Sequence, residues 1–371
     1  NNPGDAEPSM FFLEMNENEI SPVIENVTFY NNEQFIELQV GRGTSDTGSG
    51  IDFIKCNFIK NNQDKDGEQS ILQLDQILSQ EVRFESCIFD QNGGQCIRQG
   101  VDPRCNSAIS NCNFTNNHGI DGCAIYTAYP TEQAKFSMVI GGCLFKGNKS
   151  PASAKTRGCV SIDTHCVLFQ GRNEFIDNQV LGISKTSDNE ESYSYGGSLF
   201  IRQEDPASYF IRNMIFTNSY CRHYGGAIGV FSGDHEGGES EISQLFVTIE
   251  NCVFTNCTAG KHGGAIKCGT GIKEAKKNND VKLSHCEFSQ CYANIGGCLF
   301  FTDGTKDGDE ETVIEYCRFD GQNKDRDRIS TQASALYTRS YKFEMRHTIF
   351  ENYNNPGDAE PSMFFLEMNE N

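Results

Sequence analysis

The chain has 371 residues, a formal charge of −20, 17 cysteines and no tryptophan. Such acidity argues against a nucleic-acid partner, because phosphate binding needs neutralising lysine and arginine. No stretch reaches the ~18 consecutive apolar residues of a membrane-spanning helix. Length alone suggests two domains of roughly 150 residues each, but a repeat that runs through the whole chain overrides that division.

The repeat is plainest at residues 246–266, FVTIENCVFTNCTAGKHGGAI. Val247 and Ile249 are two apart, as are Cys252 and Phe254, and period two marks a strand. Between the pairs the step is three, across Glu250 and Asn251. If both pairs face one interior, the backbone must turn a corner there. A polar turn follows, then Gly263–Gly264 and the apolar Ala265 and Ile266. The pattern recurs around Phe29, Phe58, Phe89, Phe114, Phe145, Phe175, Phe216, Phe254, Phe288, Phe319 and Phe350, at steps of 25 to 41 residues. Such a period in a β-patterned, Gly/Asn-rich chain predicts an all-β fold: a right-handed parallel β-helix of about eleven coils.

In chain order, coil one joins Ile24, Val27 and Phe29 to Phe35 and Ile36, before the loop GRGTSDTGSG at residues 41–50. Coil two carries Phe53, Cys56 and Phe58. Coil three has Val82, Phe84, Cys87 and Phe89, coil four Ile109, Cys112 and Phe114, and coil five Met138, Ile140, Cys143 and Phe145. Coil six is irregular, with Leu168, Asn173 and Phe175 on the pattern but Gln170 at an apolar position. Coil seven has Tyr209, Ile211, Met214 and Phe216, and coil nine Val281, Leu283, Cys286 and Phe288. Coil ten has Ile314, Cys317 and Phe319, and coil eleven Phe343, Met345, Thr348 and Phe350. Seven cysteines share one coil position (Cys56, Cys87, Cys112, Cys143, Cys252, Cys286 and Cys317), where a thiol serves as a small buried hydrophobe. Two other pairs in register, Cys257 with Cys291 and Cys123 with Cys159, are the candidate disulfides, since coils ~4.8 Å apart fall inside the usual Cα range for a bridge.

Residues 1–18, NNPGDAEPSMFFLEMNEN, are repeated identically at 354–371. The period is 354 − 1 = 353 residues, and across the join the next phenylalanine step would be 29 + 353 − 350 = 32. The coil phase is therefore preserved. Residues 1–353 read as one unit and 354–371 as the start of the next, so the expected partner is self, by end-to-end stacking of linked units.

Asparagine stands three residues after the core phenylalanine in Asn32, Asn61, Asn92, Asn117, Asn148 and Asn178. Asparagine tolerates left-handed backbone at a corner, and stacked amides can bond along the coil axis. The Gly pairs fit a second corner needing positive φ. Together, F-x-x-N and G-G-A-I (complete at Gly225–Ile228 and Gly263–Ile266, near-complete at Gly296–Leu299) resemble the repeats of the chlamydial polymorphic membrane proteins and related microbial surface proteins. Coils seven to eleven depart from F-x-x-N, with Ser219, Cys257, Cys291, Gln322 and Tyr353. The resemblance implies a right-handed β-helix that is extracellular or on a cell surface, often adhesive, and it carries over no catalytic residue.

Pectinolytic enzymes use the same fold, with outward carboxylates and cations clustered in a groove, but fold alone carries no activity. Here the outward residue before each core phenylalanine runs Thr28, Asn57, Ile88, Asn113, Leu144, Glu174, Ile215, Val253, Glu287, Arg318 and Ile349, with its acids isolated. No catalytic, cofactor or metal residues are expected. The acidic stretches at 64–68 and 303–311 lack the bidentate glutamate of a calcium hand. Four N-x-S/T sequons are candidate N-glycosylation sites: Asn113, Asn26 and Asn256 at outward or turn positions, and Asn148, ranked last because it holds a ladder position. The expectation is a structural or adhesive extracellular filament rather than an enzyme. The alternatives are a polysaccharide-processing enzyme, marked by outward carboxylates, and a glycan-binding adhesin, marked by an aromatic groove.

Overall fold

A computed structural model describes residues 11–15, 22–32, 36–40, 50–62, 70–74, 81–99, 106–127, 138–151, 155–162, 167–182, 193–203, 207–232, 245–269, 279–302, 311–321, 334–339, 342–353 and 363–366. The acidic stretches at 64–68 and 303–310, the loop at 41–49, Phe35, Gln322 and most of the duplicated termini lie outside these.

Among the described residues every strand pairing is parallel, and strands follow one another through the sheets in a repeating order. Sheet one has twelve strands, from Phe11–Met15 to Phe364–Leu366. Sheet two comes in two segments, six strands from Val23–Glu25 to Val167–Gln170 and five from Ala207–Arg212 to Lys342–Arg346. Sheet three has eleven, from Thr28–Tyr30 to Ile349–Glu351. One strand of each makes a coil, so the chain is a right-handed parallel β-helix of eleven coils. A short fourth sheet, Lys149–Ser150 to Thr258–Ala259, adds a side to coils five to eight.

The parity break at Glu250–Asn251 is a real corner. The Leu245–Glu250 strand ends there, Asn251 takes φ 53°, and Val253–Thr255 begins the next side. Left-handed residues bracket the core phenylalanine, three positions before it (Asn26, Asn111, Asn213, Asn251) and two after it (Asn31, Asn116, Asn218, Asn256). The Phe+3 asparagine is therefore not the left-handed residue; it is the buried neighbour of that residue, with its side chain turned inward. The Gly pair divides two duties. Gly225, Gly263 and Gly296 have φ of 61–67°, whereas a Cβ on Gly226 or Gly264 would come within 2.0–2.1 Å of the next coil's carbonyl oxygen.

Inside, Val247, Ile249, Cys252 and Phe254 are at most 1% exposed. Phe254 stacks on Phe216 at 5.0 Å and on Phe288 at 4.8 Å, both at 3° between ring planes. The stack runs unbroken from Phe29 to Phe350. Coil six corrects the fixed spacing. Val167 and Phe169 face the core, Leu168 and Gln170 face out, and the left-handed Gly171 supplies one extra residue at the corner. Asn173 fills the cysteine position there. Its Oδ1 accepts from the Cys143 amide, and its Nδ2 donates to the carbonyls of Ile140 and Gln170, which ties the widened corner together. Sheet two is interrupted at this coil.

Candidate functional surfaces and internal ladders

The six asparagines form a continuous amide ladder. Asn32, Asn61, Asn92, Asn117 and Asn148 each donate Nδ2 to the Oδ1 of the next asparagine at 2.9–3.0 Å. Each accepting Oδ1 also takes the backbone N–H of the asparagine before it at 2.9–3.1 Å. From Asn61 onward, each Nδ2 also reaches the carbonyl of the previous coil's core phenylalanine. Three coil edges are thus satisfied at once inside an apolar tube, where an unpaired amide would be costly. Beyond Asn178 the hydrogen bonds pass to Ser198 and Ser219, and in coils eight and nine the Cys257 and Cys291 thiols donate to the previous coil's phenylalanine carbonyl, Phe216 and Phe254.

This geometry removes Asn148 from the glycosylation candidates: it is 0% exposed and both amide atoms are occupied. Asn113, Asn26 and Asn256 are exposed. All three lie on the outer side of sheet three or its bounding corners, with Asn113 between inward Cys112 and Phe114. Asn256 donates its Nδ2 to Asn218 Oδ1 at 2.8 Å.

Cys257, Cys291, Cys123 and Cys159 are free thiols in this structure, as are the other eleven described cysteines. Residues stacked in register on parallel strands hold their Cβ atoms near the ~4.8 Å strand spacing, beyond the ~3.5–4.5 Å a bridge prefers. The Cα criterion alone was too permissive. Burial pushes the Cys96, Cys159 and Cys291 thiols well up, which keeps them protonated and unreactive. As core fillers, these thiols do not by themselves mark an oxidising compartment.

The outward row of sheet three has the register read from sequence. Glu174 sits between Leu144 and Ile215 and pairs with Arg172 at 2.8 Å, and Glu287 neighbours Val253 and Arg318. Among the described residues, no group of three or more His, Cys, Asp or Glu side chains could hold a metal ion.

Sequence reasoning missed a second aromatic layer, on the outside of sheet one. Tyr195, Phe200 and Phe231 form one buried cluster with Tyr224 against it; Phe300 and Tyr337 form another with Ile295 and Phe365. His262 stacks on Phe300 at 4.2 Å, Phe300 on Tyr337 at 4.7 Å and Tyr337 on Phe365 at 4.9 Å. The signal was present: Tyr195, Tyr224, His262 and Ile295 each precede a Gly pair. The rings pack on one another from coil to coil. Lys267 is 5% exposed here, donating to the Gly269 carbonyl and lying over the Phe231 ring. Among the described residues, the rings of this layer pack on one another and Lys267 lies over one of them.

Two imidazoles sit on this side. His223 Nδ1 accepts from the Ser194 amide at 3.1 Å and lies 2.9 Å from its hydroxyl. Burial, with the nearby Lys261 and Arg222 charges, lowers His223 to about 4; burial, Lys267 and Lys261 do the same to His262. Both are neutral when folded and ionise more readily when unfolded, so their stabilisation is complete above about 6.5 and is lost as pH falls towards 4. Chemical denaturation should show stability declining across that window, and less steeply in His262→Gln.

A different row is exposed. His285, Tyr316 and His347 occupy the left-handed corner of coils nine to eleven, with φ of 48–53°, and stack at 4.9–5.0 Å. Earlier coils mostly use Asn or Gly there, and left-handed backbone costs other residues about 1–2 kcal/mol each. Tyr316 is stacked on both faces, and His285 and His347 each stack one face against it.

The fold and these ladders define a repetitive β-solenoid scaffold. Comparison of the chain with protein-family models, with curated proteins and with solved structures finds no match.

Proposed function

We propose that this chain is a structural, adhesive filament component: tandem, near-identical β-helical units in one long polypeptide, extracellular or on a cell surface, carrying N-linked glycans. The observation that carries the reading is the duplication at the two edges of sheet one. Phe11–Met15 and Phe364–Leu366 belong to the same repeated sequence and form strands at opposite edges, eleven coils apart. Residues 1–353 then constitute one unit and 354–371 open the next. The F-x-x-N and G-G-A-I resemblance to microbial surface proteins supports the location, and exposed Asn113, Asn26 and Asn256 suit a glycosylated exterior. Stability spread over nearest-neighbour coils suits a load-bearing role.

The test is the intact mass of the native polypeptide. A mass several times the 41.3 kDa of this chain is expected, in steps of one 353-residue unit, with glycan on Asn113, Asn26 or Asn256 and none on Asn148. A native polypeptide of about one unit would refute the tandem reading.

A further inference from the structure

Sheet two breaks in the middle of the solenoid. Its first segment ends on Val167–Gln170 of coil six, its second begins on Ala207–Arg212 of coil seven, and no ladder joins the two strands. The other sides stay joined across the same step. Sheet one pairs Leu199–Gln203 with Ile228–Ser232, sheet three pairs Glu174–Ile176 with Ile215–Thr217, and sheet four pairs Gln179–Val180 with Tyr220–Cys221. Inside, Phe175 still stacks on Phe216 at 4.9 Å. Coils six and seven are therefore closed on three sides and unlaced on one.

The corner beside this break is unlaced too. In coils one to four and seven to ten, the left-handed corner amide donates to a carbonyl at the end of the next coil's strand, as Asn111 does to Gly141 and Asn213 to Glu250. Among the described residues, the corner glycines of coils five and six, Gly142 and Gly171, make no such bond. The Gln170 carbonyl, which Gly142 would reach, is taken instead by Asn173 Nδ2 at 3.2 Å. The cause is local: the extra Gly171 makes the step from Phe169 to Asn173 four residues, where the other corners take three. The core leaks slightly at the same place. Val167 and Phe169 are 6% and 5% exposed, against 0% for Met138, Ile140 and Ile211. Leu168 and Phe210, one on each lip of the break, are 42% and 43% exposed.

We infer that the seam between coils six and seven is a conformational device built into the fold: it opens on its sheet-two side, with the joined strands of sheets one, three and four as the hinge. A solenoid is held by nearest-neighbour contacts between coils, and a step lacking one ladder and its corner bonds is the step that yields first. Gly171 supplies the slack, and Asn173 keeps the slackened corner tied to its own coil rather than to the next. The opening bends the axis away from sheet two without separating the phenylalanine stack. The inference concerns a place well inside this chain and holds whether or not units are linked in tandem.

The test is residue-resolved hydrogen exchange on the 371-residue chain. The informative amides are those with a partner: the ones in Val167–Gln170 that bond to coil five and the ones in Ala207–Arg212 that bond to coil eight. A static notch leaves them as protected as Leu245–Glu250, which is paired on both sides. A seam that opens exposes both lips together, so these amides should exchange at least ~10-fold faster than those of Leu245–Glu250, with one shared dependence on denaturant. A second chain, with Gly171 deleted and Asn173→Cys, restores the ordinary corner spacing and the residue most coils carry there. In it both lips should slow towards the coil-eight rate, with circular dichroism reporting that the coils remain folded. Lips as protected in the parent chain as coil eight overturn the inference, and this comparison stands even if the second chain does not fold. Fast lips that stay equally fast in a folded second chain also overturn it, because the slack would not come from the Gly171 corner. None of these results depends on the mass of the native polypeptide, so the seam and the tandem reading fail separately.

Discussion

Phe254→Ala is expected to lower stability by about 3–5 kcal/mol, the range for truncating a fully buried aromatic. The loss exceeds the transfer of one ring because Phe254 is stacked on both sides, at 5.0 Å on Phe216 and 4.8 Å on Phe288. Those neighbours are set by backbone register, Phe216 to Phe254 to Phe288 across parallel strands. They cannot close the gap without breaking that register, so the cavity persists. The effect should also be local, since each coil touches only its neighbours. Hydrogen exchange should rise in coils seven to nine while coils two to four keep their protection. A stability change under 1 kcal/mol would mean that the stack does not hold the coils.

A comparable loss is expected at Asn117, through polar satisfaction rather than volume. Its Oδ1 accepts both the backbone amide and Nδ2 of Asn92, and its Nδ2 serves Phe89 O and Asn148 Oδ1. Asn117→Ala strands several buried groups at ~1–3 kcal/mol each. Asn117→Asp is the sharper experiment, because an ionised carboxylate accepts but cannot donate to two oxygen acceptors. Burial and those acceptors raise its folded-state pKa above the unfolded value. The penalty should therefore be small at pH below about 4, where both states are protonated, and grow as pH rises towards neutrality. The parent chain should show the opposite trend at acid pH through His223 and His262, whose depressed pKa values favour the folded state as pH rises. A chevron or urea series at several pH values separates the two. A flat pH response for Asn117→Asp would show that the ladder is not a closed hydrogen-bonded system.

The coil was legible because alternation is strict wherever one face is buried. The Val247–Ile249 and Cys252–Phe254 pairs, and the step of three between them, located two sides and a corner. The phenylalanine register was readable for the same reason. What failed were inferences from fixed spacing or from one residue's reputation. Leu168 was placed inward because spacing cannot reveal the extra residue that Gly171 introduces. Asn at Phe+3 was read as a left-handed corner because asparagine tolerates that backbone, but the adjacent residue takes it and frees the amide for the ladder. Asn148 illustrates the consequence: its sequon is intact and its side chain is inaccessible. The outer layer of Tyr195, Phe200, Phe231 and Phe300 escaped because alternation assigns one face to the core and says nothing of a second layer beyond it. Arg157 and Lys261, placed over the rings of Phe200 and Tyr224, show that this layer is polar at its rim.

The most direct measurement is electron cryomicroscopy of native material. Stacked units in register should appear as thin, unbranched filaments with a repeat of eleven coils at ~4.8 Å, near ~53 Å along the axis. The density of residues 364–366 should superpose on that of 11–13 after one such repeat. Discrete particles of a single unit, or two copies of the strand in different conformations, would contradict a continuous solenoid.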